Sequence, residues 1–113
     1  MGAVSVFRIE STAGSAEEAE ALAAALVERR LAACVQVVGP IRSTYRWEGR
    51  VQVDEEHLLL CKVPEERLEE AIAAIEELHG YDVPEVLAFR VESGSRAYLE
   101  WVERETGERP GRE

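Results

Sequence analysis

The chain has 113 residues, with 13 Lys or Arg against 23 Asp or Glu and a formal charge of −10. That length suits one domain with one core, and an acidic chain whose basic residues are scattered would repel a phosphate backbone, so nucleic acid is not an expected partner. Two cysteines, Cys34 and Cys61, and no apolar secretory stretch within residues 1–20 predict reduced thiols and a cytoplasmic protein; no apolar run reaches the roughly 18–20 residues of a membrane span.

In chain order, Val4–Glu10 reads as a short strand. Ser15-Ala-Glu-Glu18 is a capping box, opening a helix whose apolar face is Ala19, Leu22, Ala23, Leu26 and Val27. Ala33–Val38 is a buried strand candidate, and Gly39-Pro40 predicts a bulge or bend because proline cannot donate to a ladder. Ile41–Trp47 resumes the strand with Ile41, Ser43, Tyr45 and Trp47 on one face. Glu48-Gly49 makes a tight turn, and the chain returns through Val51 and Val53 to the apolar run His57–Val63, broken only by Lys62. Pro64 fits a first helical position ahead of a face of Leu68, Ile72, Ile75 and Leu78, with Gly80 as the residue after the C-cap. Val86–Val91 is a last strand, and a helix from about Ser95 to Arg104 follows. Residues 1–105 thus form one domain, and 106–113, with Gly107, Pro110 and Gly111, read as a frayed tail.

The order β-α-β-β-α-β with a C-terminal helix defines an α+β fold of ferredoxin-like type, a βαββαβ sandwich with two helices on one face of a four-stranded antiparallel sheet. The hairpin between the second and third strands is unusually long. Each arm, within residues 33–63, would reach roughly 46 Å, against roughly 22 Å for the other strands. Residues 41–54 would therefore project beyond the domain carrying Tyr45 and Trp47. An isolated two-stranded ribbon is marginal in water, so another copy of the chain is expected to cover it.

Candidate chemistry is sparse. His57 and Cys61 have a ligand-like spacing, but four residues along a strand span about 13 Å, too far for one ion. Cys34 and Cys61 lie on paired arms and read as free thiols. Lys62 is the single lysine beside 12 arginines, and inside an apolar strand it is expected to pair with a carboxylate at an interface. His79-Gly-Tyr-Asp-Val-Pro-Glu85 gathers an imidazole, a phenol and two carboxylates. Such a turn could offer nitrogen and oxygen donors to Cu2+ or Zn2+; the plainer reading of the spacing is a helix terminus where histidine complements the dipole and Pro84 sets the next strand. No nucleophile elbow, phosphate loop, dinucleotide fingerprint or His-Glu-x-x-His occurs, so an enzyme is not expected, nor an organic cofactor.

Taken together, Leu31-Ala-Ala-Cys34, Ser43-x-Tyr45-x-Trp47-Glu-Gly49, Glu56, Lys62, His79-x-Tyr81-x-x-Pro84-Glu85 and Ala97-Tyr-Leu-Glu-Trp101 closely resemble the CutA family of divalent-cation tolerance proteins. The resemblance covers about residues 4–103. It implies a cytosolic homotrimer, similar in architecture to PII-type signalling proteins, with a role in copper and divalent-cation tolerance and no established catalysis. It carries His79 and Glu85 over as metal candidates, and places Tyr45, Trp47, Lys62 and Tyr81 at intersubunit clefts. A regulatory or scaffolding trimer that binds a small ligand or partner protein in those clefts is the alternative. The chain departs from the family at Gly80, where proline is common, at Ser95-Arg96, where Asn-Pro is common, and in Ile9–Gly14, which lacks the cysteine of some members.

Overall fold

The computed structural model describes residues 4–107. Eight segments follow in order: β1 (Val6–Ala13), α1 (Ala16–Glu28), β2 (Cys34–Trp47), β3 (Arg50–Pro64), a 3-10 turn (Glu65–Arg67), α2 (Leu68–Leu78), β4 (Leu87–Arg90) and α3 (Arg96–Arg104). The strands form one antiparallel sheet in the order β2-β3-β1-β4, the ferredoxin-like arrangement expected. The expected tail begins later than residue 106. Thr106 is buried with its hydroxyl on the Val102 carbonyl, and the Gly107 amide donates to the Arg30 carbonyl. Residues 108–113 of that tail lie outside the described residues.

Local chemistry explains most boundaries. The Ser15 hydroxyl accepts from the Glu18 amide at 3.1 Å and so caps α1. Ser95 does the same for α3 through the Tyr98 amide. Glu48 and Gly49 both take positive φ, 51° and 78°, which matches the twist of the strands they join. Two details differ from expectation. Pro64 ends β3 and precedes a 3-10 turn, so α2 starts only at Leu68. And α2 stops because His79 is extended, with φ −76° and ψ 148°; Gly80 is not in the left-handed region.

The core lies between the sheet and the paired helices α1 and α2. Pairing of Cys61 with Ile9, Val63 with Phe7 and Leu59 with Ser11 puts these residues on the helix side. There Ile9, Leu59, Cys61 and Val63 meet Leu22, Leu26, Ala71 and Ile75, nearly all without solvent contact. Full burial of side chains such as Ile9, Leu26 or Ile75 stabilises the fold by about 1.5–3 kcal/mol each. The opposite face carries Arg8, Glu10, Leu58, Leu60 and Phe89. Here α3 lies against β1 and β3, and its Val102 is fully buried. This third helix covers one end of the face and leaves Val38, Leu87 and Phe89 exposed.

The long hairpin projects as expected. β1 pairs with β3 only from His57 to Pro64, so residues 41–56 are paired only with each other. The result is an elongated molecule, 50 × 28 × 21 Å. The bulge falls between Val38 and Ile41, at Gly39-Pro40. It shifts the register by one residue, setting Cys34 opposite Lys62 and Val35 opposite Cys61. The two thiols therefore face opposite sides of the sheet. Both are free, and a shared disulfide or two-thiol metal site is ruled out by this alternation. Burial pushes the Cys61 thiol up to about 12, against a small opposing effect of Lys62.

Candidate functional site

The segment that follows α2 closes over the root of the hairpin, and two of its residues hold it there. His79 reaches back to β1, with Nε2 2.5 Å from the Thr12 carbonyl oxygen. Its Nδ1 accepts the Tyr81 amide at 3.1 Å. An acceptor Nδ1 leaves the proton on Nε2, so the geometry selects one neutral tautomer, donating to Thr12. The Tyr81 ring then packs against the imidazole, 4.7 Å between centroids. Its hydroxyl donates to Glu56 Oε2 at 2.8 Å. Gly14 makes room for that hydroxyl: a Cβ there would lie 3.1 Å from the Tyr81 oxygen.

Between this turn and the hairpin lies a cleft of about 560 Å³, lined by Thr12, Ser43, Tyr45, Trp47, Glu56, Tyr81 and Glu85 among others. Its charges are acidic. Glu56 is only 9 % exposed, and among the described residues no salt bridge reaches it. Glu10 shares its sheet face, through pairing with Leu60 and Leu87. Burial first, then the charges of Glu10 and Glu56, raise the Glu85 carboxyl above its ordinary range. The Tyr81 phenol is raised too, by burial first and then by its bond to Glu56. Tyr45 donates its hydroxyl to Asp54, and that carboxylate raises the Tyr45 phenol.

The structure thus brings Tyr45, Trp47, Tyr81 and Glu85 to one cleft. It sets His79 behind that cleft, on a groove with Leu22 and Leu78 between α1 and the turn, with both ring nitrogens engaged. Lys62 is elsewhere: its ammonium donates to Gln36 at 2.9 Å, across the hairpin near α3. The expected carboxylate partner is replaced by a carboxamide, because the register puts Gln36 and Lys62 on one face. Glu56 and Gly14 are the site residues that motif spacing did not single out as site residues. A signal for Glu56 was present, since it continues the alternation of Leu58 and Leu60 on the open face.

Among the described residues, no three His, Cys, Asp or Glu side chains come close enough together to hold an ion. The cleft lining carries the carboxylates of Glu56, Asp82 and Glu85. Its carboxylate oxygens can serve divalent cations that accept oxygen donors, Cu2+ among them, and its aromatic faces suit a planar or cationic ligand.

A family model described as CutA1 divalent ion tolerance protein matches residues 8–105. The chain is 44% identical over 96 residues to the divalent-cation tolerance protein CutA of Thermus thermophilus, covering 85% of this chain and 93% of that one. It is 43% identical to the chloroplastic CutA protein of Arabidopsis thaliana over 84% of this chain but 52% of that one, so it spans about half of the plant relative. Among solved structures, CutA of Xylella fastidiosa superposes with a TM-score of 0.88 at 37% identity, over 90% of this chain and 98% of that one. The Thermus thermophilus structure gives 0.87 at 41% identity, over 90% and 99%. A structure from Archaeoglobus fulgidus, described as periplasmic, gives 0.85 at 34% identity, over 88% and 97%. The chain belongs to the CutA1 divalent ion tolerance family. No helix among the described residues is long and apolar enough to cross a membrane.

Proposed function

We propose that this protein serves divalent-cation tolerance by binding the cation directly, with Cu2+ as the first candidate, as a cytoplasmic homotrimer that catalyses no reaction and needs no organic cofactor. The carrying observation is the convergence of the Glu56, Asp82 and Glu85 carboxylates on one cleft between the hairpin and the turn after α2, where partial desolvation and then repulsion by Glu10 and Glu56 raise the Glu85 carboxyl. A divalent cation in the cleft would offset that repulsion, with Glu85 and Glu56 as donors and a neighbouring chain or water completing the shell. His79 can join the ligands through Nδ1 only by releasing the Tyr81 amide, with Nε2 still on the Thr12 carbonyl; otherwise it holds the turn that carries Glu85. The trimer reading is supported by the hairpin, whose two faces both expose apolar side chains: Tyr45 and Trp47 on one, Val51 and Val53 on the other. Calorimetric titration of metal-free protein with Cu2+ tests the proposal. A saturating isotherm with a whole-number ratio, lost in Glu85→Gln, supports it; an unsaturable isotherm refutes direct binding.

A second reading, a PII-like regulatory or scaffolding trimer, is favoured by the size of the cleft and its Tyr45, Trp47 and Tyr81 lining. It expects a small metabolite to raise the melting temperature. Unchanged melting across a metabolite library would count against it.

A further inference from the structure

We infer that α3 is a strap over the Cys34 end of the open sheet face, and that Arg30 is the latch that holds it down. This goes beyond the cation reading and does not depend on it.

Little ties α3 to the rest of the chain. Among the described residues, Val102 is its one fully buried side chain. Its rings, Tyr98 and Trp101, lie against each other with centroids 5.5 Å apart. Most polar contacts within residues 95–107 are local. Ser95 caps the first turn, Arg96 pairs with Glu100, and the Thr106 hydroxyl returns to the Val102 and Glu103 carbonyls. Among the described residues, every nitrogen–oxygen hydrogen bond that leaves this segment ends on Arg30. Its Nε donates to the Gly107 carbonyl at 3.0 Å, its Nη2 donates to the Arg104 carbonyl at 3.4 Å, and its own carbonyl accepts the Gly107 amide at 3.0 Å. A cation on the last carbonyls of a helix also complements the helix dipole.

Arg30 holds this place against a backbone cost. Its amide donates to the Val27 carbonyl and the Leu31 amide to the Leu26 carbonyl. That pattern ends a helix on a left-handed residue, which is usually glycine. Arg30 takes the left-handed conformation, with φ 60°, where a Cβ is disfavoured. Its guanidinium supplies what glycine cannot: one residue ends α1 with its backbone and α3 with its side chain.

Below α3, Tyr98 lies against the Cys34 thiol; burial first, and then that thiol, raise the phenol. Cys34 is half-buried, whereas Cys61 has no exposure and faces the helices. Lifting α3 bares one thiol and leaves the other covered. The main core, between the sheet and α1 with α2, includes no residue of α3, so the strap can release as a local unit.

The test is amide exchange and iodoacetamide labelling of the full chain as wild type, Arg30→Gly and Arg30→Asn. Glycine and asparagine both accept the left-handed conformation, and neither reaches α3. Wild type is expected to exchange faster over residues 99–107 than over 59–63 in the core. Both variants are expected to exchange about tenfold or more faster than wild type over 99–107, the size of a lost hydrogen bond to a charged group. Exchange over 26–32 should stay unchanged or slow. Cys34 labelling should quicken by a similar factor, with Cys61 unmodified as the internal standard. Equal exchange over 99–107 and 59–63 in wild type means that α3 opens only with the whole fold, and overturns the strap. Unchanged exchange over 99–107 in the variants overturns the latch. Acceleration over 26–32 and 99–107 alike also overturns it, because the arginine then serves α1. Faster exchange without faster Cys34 labelling overturns the cover over that thiol.

Discussion

The imidazole of His79 lies 2.5 Å from the carbonyl oxygen of Thr12, a residue 67 positions earlier in the chain. That contact ties the end of α2 to the end of β1, and everything in the cleft contributed by residues 79–85 is placed by it. We predict that His79→Ala loses about 1–3 kcal/mol of stability, from the Thr12 carbonyl and Tyr81 amide left without partners. Urea denaturation reads the loss. A midpoint equal to wild type would mean that solvent replaces the imidazole at no cost.

The bulge at Gly39 leaves no room for a side chain. A Cβ there would lie 2.5 Å from Cδ2 of His57 and 3.1 Å from its Cα. Gly39→Ala is predicted to lose about 2–3 kcal/mol by overpacking. His57→Ala in the same chain should restore part of it, and a double-mutant cycle measures the coupling. Additive losses would show that the strain lies in the backbone and not against the ring.

Stability should fall in alkali through Cys61. Its folded value is raised to about 12 from an ordinary 9.0, so the unfolded thiol ionises first. The contribution is fully present below pH 9 and is lost as pH rises from 9 towards 12, by an amount on the order of a few kcal/mol. Denaturation of wild type and Cys61→Ala across that range isolates the effect. Parallel curves would place the alkaline loss on other groups.

Substitutions on either face of the distal hairpin are predicted to weaken self-association. Val51 and Val53 are 64% and 51% exposed in the single chain, and Trp47 on the other face is 47% exposed. Val53→Asp should cost about 2 kcal/mol or more per buried site if a second copy covers it, and Trp47→Ala should weaken assembly independently. Sedimentation velocity over a concentration series measures both. Wild-type behaviour in both variants would mean that the ribbon stands free.

Much of this fold was legible in the chain because local and global signals agree. The Ser15 cap, the Glu48-Gly49 turn and the long arms each follow from residue chemistry at short range. The end of α1 was not legible: Arg30 takes φ 60° where glycine is usual, and its guanidinium is tied to the Gly107 carbonyl 77 residues away. The tail at Thr106–Gly107 was misread for the same reason, since its partner is remote. In the site, the cluster His79–Glu85 was visible as composition, but the division of labour was not. Spacing cannot say that His79 spends both nitrogens on Thr12 and Tyr81, or that Lys62 turns to Gln36. The register shift at Gly39-Pro40 fixes the second of these, and the first depends on where β1 passes.

β2 is an outer strand of the sheet, so one of its edges has no partner among the described residues. An open edge of that length is a template on which foreign strands can add. Pro40 brings no amide hydrogen, and the irregularity it shares with Gly39 divides the edge into Cys34–Val38 and Ile41–Trp47. Neither piece offers an uninterrupted ladder to a stranger. The same kink that sets the cysteines on opposite faces thus also acts as a guard against fibrillar growth. Partners that engage this edge must match a bent strand, which straight amyloid-like stacking does not do.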